Sequence, residues 1–433
     1  MTKRRVLVFP AGTEIGLEIF QALKHCKEVI LFGAGQDISN HARFAYPAYH
    51  VLPSIHEPGW VDALIKLCQS LHIDYIFPAY DDIIVALSRE ADRLPAKIIS
   101  SPPSACEITR SKSDTYRALS GKIRIPRLYT SKEAVCSYPV FVKPDRGQGS
   151  FGITRVDNEE ELARAIQATG NPIICEYLPG EEYTIDCFSD REKGVLFAGA
   201  RSRRRIRNGI SVNTLTEALP EAKDMANIIG RELGLRGAWF FQLKRAQDGQ
   251  LVLLEVAPRI AGTMATHRVS GVNFSLLSIF EEERLPLSVR PIDGIIELDR
   301  ALGNRYRHSI SFSTLYIDLD DTLLVNGRVN ILAMKLLFQC INNGKKTVLL
   351  TRHRSDLNQT LTRHRLSGLF DEIIHLGEAE KKSSHIKQGD AIFVDDSFAE
   401  RMDVSERCNI PTFDCSMIEL LTEQAESLNG NGE

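Results

Sequence analysis

Two acidic pairs, each placed directly after an apolar run, concentrate the chemistry of this chain. Asp318-Leu-Asp320-Asp-Thr322 follows Leu315-Tyr-Ile317, and Asp395-Asp396 follows Ala391-Ile-Phe-Val394. Carboxylates crowded at strand ends repel one another unless a cation holds them. Oxygen donors at the carboxyl edge of an open parallel sheet suit a magnesium ion that keeps several waters and meets a substrate phosphate. A second centre of different design lies upstream, where Val140-Phe-Val142 runs into Lys143-Pro-Asp-Arg-Gly147-Gln-Gly149-Ser-Phe-Gly152. Glycines let such a loop fold its N–H groups over phosphate oxygens, and Lys143 adds a point charge.

The elements that must position these residues alternate from the start. Val6-Leu-Val-Phe9, Glu14 to Leu23, Val29-Ile-Leu-Phe32, Val61 to Leu71 and Tyr75-Ile-Phe77 give the βαβαβ rhythm of a parallel sheet. Gly12 and Gly16 lack the third glycine of a dinucleotide fingerprint, and Gly33-Ala-Gly35 ends the second strand without an acid, which argues against a nicotinamide site. Asp81-Asp82 read as a helix cap, and Ser100 to Ser104, with two prolines, as a linker. From Tyr138 to about Leu298 strands dominate, with a helix from Glu159 to Ala168 capped by Asn158. Strand–helix alternation then returns after a polar segment, Asp299 to Ser311. The expected domains are residues 1–105, 106–311 and 312–433.

A length of 433 residues suits several domains, since single cores stop growing near ~250–300 residues. A formal charge of -3 gives no reason to expect a nucleic acid. Nine cysteines, an odd number without C-x-x-C spacing, suggest neither disulfides nor zinc and fit a reducing cytoplasm. No apolar run approaches a ~20-residue membrane span, and the one after Arg5 ends by Pro10, too short for a signal peptide. Small anionic metabolites remain open as partners, as does assembly with copies of itself.

Three further motifs follow Lys143: Ile174-Cys-Glu176-Tyr-Leu178-Pro-Gly180-Glu-Glu182, Trp239-Phe-Phe-Gln242, and Leu253-Leu-Glu255-Val-Ala-Pro-Arg259. In this order they resemble the ATP-grasp superfamily of carboxylate–amine ligases over about residues 1–300. The resemblance implies ATP and Mg2+ as cofactors and small-molecule carboxylate and amine substrates. It also implies a Rossmann-like domain preceding the ATP-grasp domain. Lys112, Lys143, Gly147 and Gly149 would then meet phosphates; Glu176, Tyr177 and Leu178 the adenine; and Glu182 the ribose. Gln242 and Glu255 would approach magnesium, and Arg259 would steady the transferred phosphoryl group. Ala257 stands where the family usually has a metal-binding Asn, so one metal contact is missing or supplied elsewhere, with Asn273 a candidate substitute. Arg201, Arg203, Arg205 and Arg207 would share one strand face, where an anionic substrate or nearby carboxylates would relieve their repulsion.

Asp318-x-Asp320-x-Thr322, Thr351 after Val348-Leu-Leu350, Lys382 and Asp395-Asp396 resemble the four motifs of the haloacid dehalogenase (HAD) superfamily over about residues 312–425. By that resemblance the C-terminal domain is HAD-like, and Asp318 attacks phosphorus while Asp320 serves as acid and base. Thr351 and Lys382 would hold phosphate oxygens, with Lys381 the rival lysine. Asp318, Asp320, Asp395 and Asp396 would serve magnesium. About thirty residues from Thr322 to Thr351, and about thirty from Thr351 to Lys382, leave no room for a cap domain. His353, His364 and His375 read as surface residues. The expectation is an α/β and α+β multidomain, bifunctional enzyme: a ligase fused to a phosphatase of a related phosphorylated metabolite. The alternatives are a HAD-like domain serving only for binding or regulation, and an ATP-grasp part that only senses nucleotide.

Overall fold

The computed structural model describes residues 3–147, 152–207, 209–304, 306, 308–387 and 389–422. It divides into two compact units, Met1–Leu302 and Gly303–Glu433. Among the described residues no helix is long and apolar enough to cross a membrane.

The first unit is mixed α/β and holds three sheets. The first has the strand order Tyr49–Val51, Val29–Gly35, Arg4–Phe9, Tyr75–Pro78, Lys97–Ile98, all parallel. Val6, Leu7 and Val8 are fully buried, as a strand covered on both faces requires. The helix Glu14–Leu23 packs Ile15, Ile19 and Leu23 inward, and Thr13 caps it by accepting from the Gly16 N–H. A side chain at Gly16 would meet the Ala11 carbonyl at 2.3 Å, so only glycine permits this close helix approach.

Two sequence expectations need correction here. Tyr80, not Asp81 or Asp82, holds the cap position of the helix Asp81–Arg89, and no side chain caps it; both carboxylates are engaged by arginines elsewhere. Nor is Ser100 to Ser104 a linker throughout, because Pro103 opens the helix Pro103–Arg110. Proline is at ease there, since the N–H it lacks would have no partner in a first turn.

The second sheet is small and antiparallel, in the order Leu128–Tyr129, Pro172–Glu176, Val140–Pro144, Thr154–Val156. The helix Glu159–Ala168, capped by Asn158 as expected, packs on it through Leu162 and Ala165. The third sheet has six antiparallel strands: Leu251–Ala257, Gly237–Arg245, Glu182–Asp190, Gly194–Arg207, Ile210–Glu217, Glu297–Asp299. One face is covered by the helix Glu221–Leu233, which buries Ala222, Ala226, Ile229 and Leu233 beside Trp239 and Phe241. The other face is apolar at one end, where Phe188, Ala238 and Phe240 pack with Phe274 and Ile279, and polar at the other, where Glu182, Gln242 and Lys244 stand.

The second unit is built on one parallel sheet, ordered Glu372–His375, Lys346–Thr351, Thr314–Ile317, Ala391–Val394, Thr412–Phe413. Its central strands read as continuous apolar runs because both faces are buried, with Leu315, Ile317, Leu349, Ile392, Phe393 and Val394 in the core. Asp318, Thr351 and Asp395 therefore emerge together at the carboxyl edge. Between Thr322 and Thr351 the chain makes a short hairpin, Leu324–Val325 with Arg328–Val329, and the helix Ile331–Asn342.

Candidate functional site

In the first unit a cavity of about 350 Å³ is lined from the four-stranded sheet by Lys143 and Glu176 and from the six-stranded sheet by Glu182, Gln242 and Glu255. Strand register explains the second group. Glu182 lies opposite Lys244, Gln242 opposite Glu255, and residues two apart on a strand share a face. Arg203 joins them by donating to the Glu182 carboxylate and to Gln242 Oε1 at 3.0 Å.

The lysines are fixed from both sides. Lys143 is buried and donates to the Tyr116 hydroxyl at 3.0 Å, while that hydroxyl donates to the Leu254 carbonyl at 2.6 Å. Lys112 begins the helix Lys112–Leu119, whose cap Ser111 also donates to Asp145 at 2.7 Å. Asp145 accepts from the Ser113 N–H as well, so one carboxylate ties the helix start to the segment after Lys143. Lys112 Nζ lies 3.4 Å from each of the Pro144, Asp145 and Gly147 carbonyl oxygens. Burial pulls this ammonium below the ordinary lysine value against the attraction of Glu255, and Lys143 adds repulsion. A ligand carrying negative charge would relieve that cost.

Beside the cavity a small recess is lined by Asp81, Arg110, Lys112, Glu255 and Arg259. Arg259 donates to both oxygens of Asp81, with Nη2 at 3.0 Å. Burial works against the Asp81 charge, but Arg259 holds the carboxyl below the usual range. Asp82 pairs with Arg110 through one oxygen, which accepts from Nε at 2.8 Å.

The other expected residues divide. Gly147 and Leu178 line the cavity, and Glu176 accepts from the Arg127 N–H at 3.2 Å. Tyr177 stacks on Phe141 with ring centroids 5.4 Å apart, and the Arg155 guanidinium lies 4.8 Å from the centre of the Tyr177 ring. Gly149 lies outside the described residues. The arginine strand does not present one continuous face, because bulges between Arg203 and Ile206 break the alternation. Arg201 is buried in a two-bond pair with Asp186, at 2.8 and 3.1 Å, and Arg205 pairs with Asp299. Internal carboxylates therefore relieve these two charges, and of Arg201, Arg203, Arg205 and Arg207 it is Arg203 that lines the cavity. Asn273 does not substitute at the metal position. It caps the helix Phe274–Glu282 and donates to the Ala22 carbonyl. Lys244, which also lines the cavity, went unread in the sequence, although its place two residues after Gln242 is a usable signal.

In the second unit Lys382 Nζ sits between Asp318 at 2.7 Å and Asp395 at 2.6 Å. Ligand atoms of Asp318, Asp395 and Asp396 lie within 4.8 Å of one another. Burial pushes the Asp318 carboxyl up to about 6, against the attraction of Lys382 and with added repulsion from Asp395. An all-oxygen set this crowded fits a hard divalent cation such as magnesium. Thr322 accepts from the Asp396 N–H at 2.9 Å, and among the described residues the buried Thr351 hydroxyl has no hydrogen-bond partner. Lys381, the rival lysine, pairs instead with Asp403 at the surface. His353 is not a plain surface residue. Its Nδ1 lies 2.9 and 3.0 Å from the two oxygens of Asp320.

Comparison with known proteins accords with the motif order of the first unit. Residues 170–290 match the family described as ATP-grasp in the biosynthetic pathway with Ter operon, and residues 122–205 match the D-ala D-ala ligase C-terminus. A D-alanine–D-alanine ligase of Fusobacterium nucleatum is 29% identical over 181 residues, which span 38% of this chain and 61% of that one. The chain thus covers less than two thirds of that relative's length. Among solved structures, biotin carboxylase from Campylobacter jejuni, as its β-γ-ATP complex, superposes with a TM-score of 0.58 at 18% identity, covering 68% of this chain and 74% of the other. An L-amino acid ligase from Bacillus licheniformis gives 0.54 at 19% identity, covering 67% and 78%. The first unit has the ATP-grasp fold and is similar to the D-alanine–D-alanine ligases.

Proposed function

We propose that the protein is an ADP-forming ligase that joins a small carboxylate to an amine, with ATP and magnesium as cofactors. The observation that carries this reading is the cavity in which Lys112 and Lys143 face Glu182, Gln242 and Glu255. A carboxylate is a poor electrophile. When its oxygen attacks the γ-phosphorus of ATP, ADP leaves and an acyl phosphate forms; the amine then attacks the acyl carbon, loses a proton and expels phosphate. Lys143 and Lys112 hold phosphate oxygens, with Gly147 beside them, and Glu176, Tyr177 and Leu178 meet the base. Glu182 takes the ribose, released from Arg203. Glu255 and Gln242 would hold magnesium, which neutralises the phosphate charge. Arg259, already oriented by Asp81, steadies the transferred phosphoryl group.

The second unit, in the same reading, is a HAD-like phosphatase without a cap. Asp318 attacks phosphorus, Asp320 protonates the leaving oxygen, and Lys382 and Thr351 hold the phosphate. Asp318, Asp395 and Asp396 would hold magnesium. The support is Lys382 bridging Asp318 and Asp395, together with the partnerless Thr351 hydroxyl. The functional domains remain 1–105, 106–311 and 312–433, and nine free cysteines suit a cytoplasmic enzyme.

The test is ADP release from the full chain with ATP, magnesium and panels of carboxylates and amino acids, beside release of phosphate from aryl phosphates. Glu255→Ala is expected to abolish the first and spare the second, and Asp318→Asn the reverse. Loss of both from either change refutes two separate sites. No phosphate release by the unaltered protein makes the C-terminal unit a binding module.

A further inference from the structure

We propose that His353 is a positioning residue for Asp320, setting the orientation from which that carboxyl group protonates the leaving group. The inference rests on the phosphatase reading above and extends it to a residue outside the four motifs.

The geometry is a relay of three side chains. His353 Nδ1 reaches both Asp320 oxygens, at 2.9 and 3.0 Å, and its Nε2 lies 2.8 Å from the Thr360 hydroxyl. The backbone is pinned as well, because His375 Nε2 lies 2.8 Å from the His353 carbonyl oxygen. The His353 side chain is 12% exposed, whereas that of Asp320 is 51% exposed. An aspartate so open to solvent would sample several rotamers unless something held it. His353 is the one side chain hydrogen-bonded to its carboxylate among the described residues. Chain order explains the arrangement: Thr351 ends its strand at the phosphate site, and two residues later His353 stands at the same edge, facing the loop after Asp318.

The consequence follows from the two half-reactions. In the first, an Asp318 oxygen bonds to phosphorus, the bond to the ester oxygen breaks, and the Asp320 proton passes to that oxygen. In the second, water bonds to phosphorus, its proton passes to Asp320, and the aspartyl bond breaks to restore Asp318. Both transfers need the Asp320 oxygen on the line between itself and the leaving or entering oxygen. Fixing that oxygen matters most when the leaving group is poor and least when it departs readily as an anion.

The experiment compares phenyl phosphate with 4-nitrophenyl phosphate on the full chain with magnesium. For His353→Ala the expected kcat/KM, which reports the first half-reaction alone, falls about 100-fold on phenyl phosphate and about threefold on the nitrophenyl ester, the range of general-acid contributions setting the first figure. His353→Asn, which keeps an N–H donor near the Nδ1 position, should recover most of the loss, and Thr360→Val should give a smaller, same-signed effect. Equal losses on the two esters, no loss, or no recovery by Asn overturns the role of His353 while leaving the phosphatase reading intact. Absence of hydrolysis of either ester by the unaltered protein overturns both.

Discussion

Replacing Asp186 by Asn or Leu tests whether Arg201 is a structural cation or a substrate contact. The two side chains are 0% and 2% exposed, joined by two hydrogen bonds, and His267 Nδ1 lies 3.0 Å from the same carboxylate. Among the described residues Arg201 Nη1 already has no partner, so Asp186→Leu would strip the guanidinium of the two hydrogen bonds to that carboxylate. Breaking one side of a buried pair costs about 3–5 kcal/mol, whereas replacing both partners by apolar groups is often close to neutral. Asp186→Leu should therefore cost about 4 kcal/mol, Arg201→Met about 3, since His267 can still serve Asp186, and the double variant about 1. Urea titration followed by Trp fluorescence reads the change, because Trp239 is buried in the same sheet. A pH series adds a sign. Burial opposes the Asp186 charge, yet Arg201 and His267 hold its carboxyl below the usual range. Its contribution is then present above the ordinary carboxylate value and lost as pH falls through the lowered one, and Asp186→Asn should remove that dependence. Additive single costs, or single costs below about 1 kcal/mol, would refute the buried-pair account.

Thr351→Val should leave the second unit as stable or slightly more stable, since a buried partnerless hydroxyl contributes nothing to the fold, while aryl phosphate hydrolysis drops about tenfold or more. Paired melting and rate measurements decide it. Lys143→Met should raise KM for ATP in ADP-release assays with little loss of fold, because its ammonium is anchored through Tyr116 to the Leu254 carbonyl, and Tyr116 keeps that bond without it. Gly16→Ala should destabilise the first unit by about 2 kcal/mol or more in chemical denaturation, because the added carbon would meet backbone.

Much of the first sheet and of the two candidate sites was legible because those residues obey simple periodicities. The helix Glu14–Leu23 and the capped helix Glu159–Ala168 follow from apolar spacing and a side-chain cap. The parallel strands preceding Asp318 and Asp395 announce themselves as short apolar runs. What escaped were partnerships across long sequence separations. Asp81 looks like an ordinary first-turn acid until Arg259, 178 residues away, is seen to hold it. The arginine run reads as a uniform comb, and its bulge cannot be read from arginine spacing alone. Asn273 has the right chemistry for a metal ligand but is spent on a helix start, a local competition that side-chain type does not reveal.

Among the described residues, the four-stranded sheet that carries Lys143 and Glu176 rests on a small core of buried apolar side chains, Val140, Val142, Val156, Leu162, Ala165 and Ile174. Such a small lobe gains little from burial, so its amide hydrogens should trade with deuterium sooner than those flanking Trp239. Nucleotide seated against Lys143 would add to the lobe's scant cohesion, and the slowing of deuterium uptake there would gauge occupancy without any turnover.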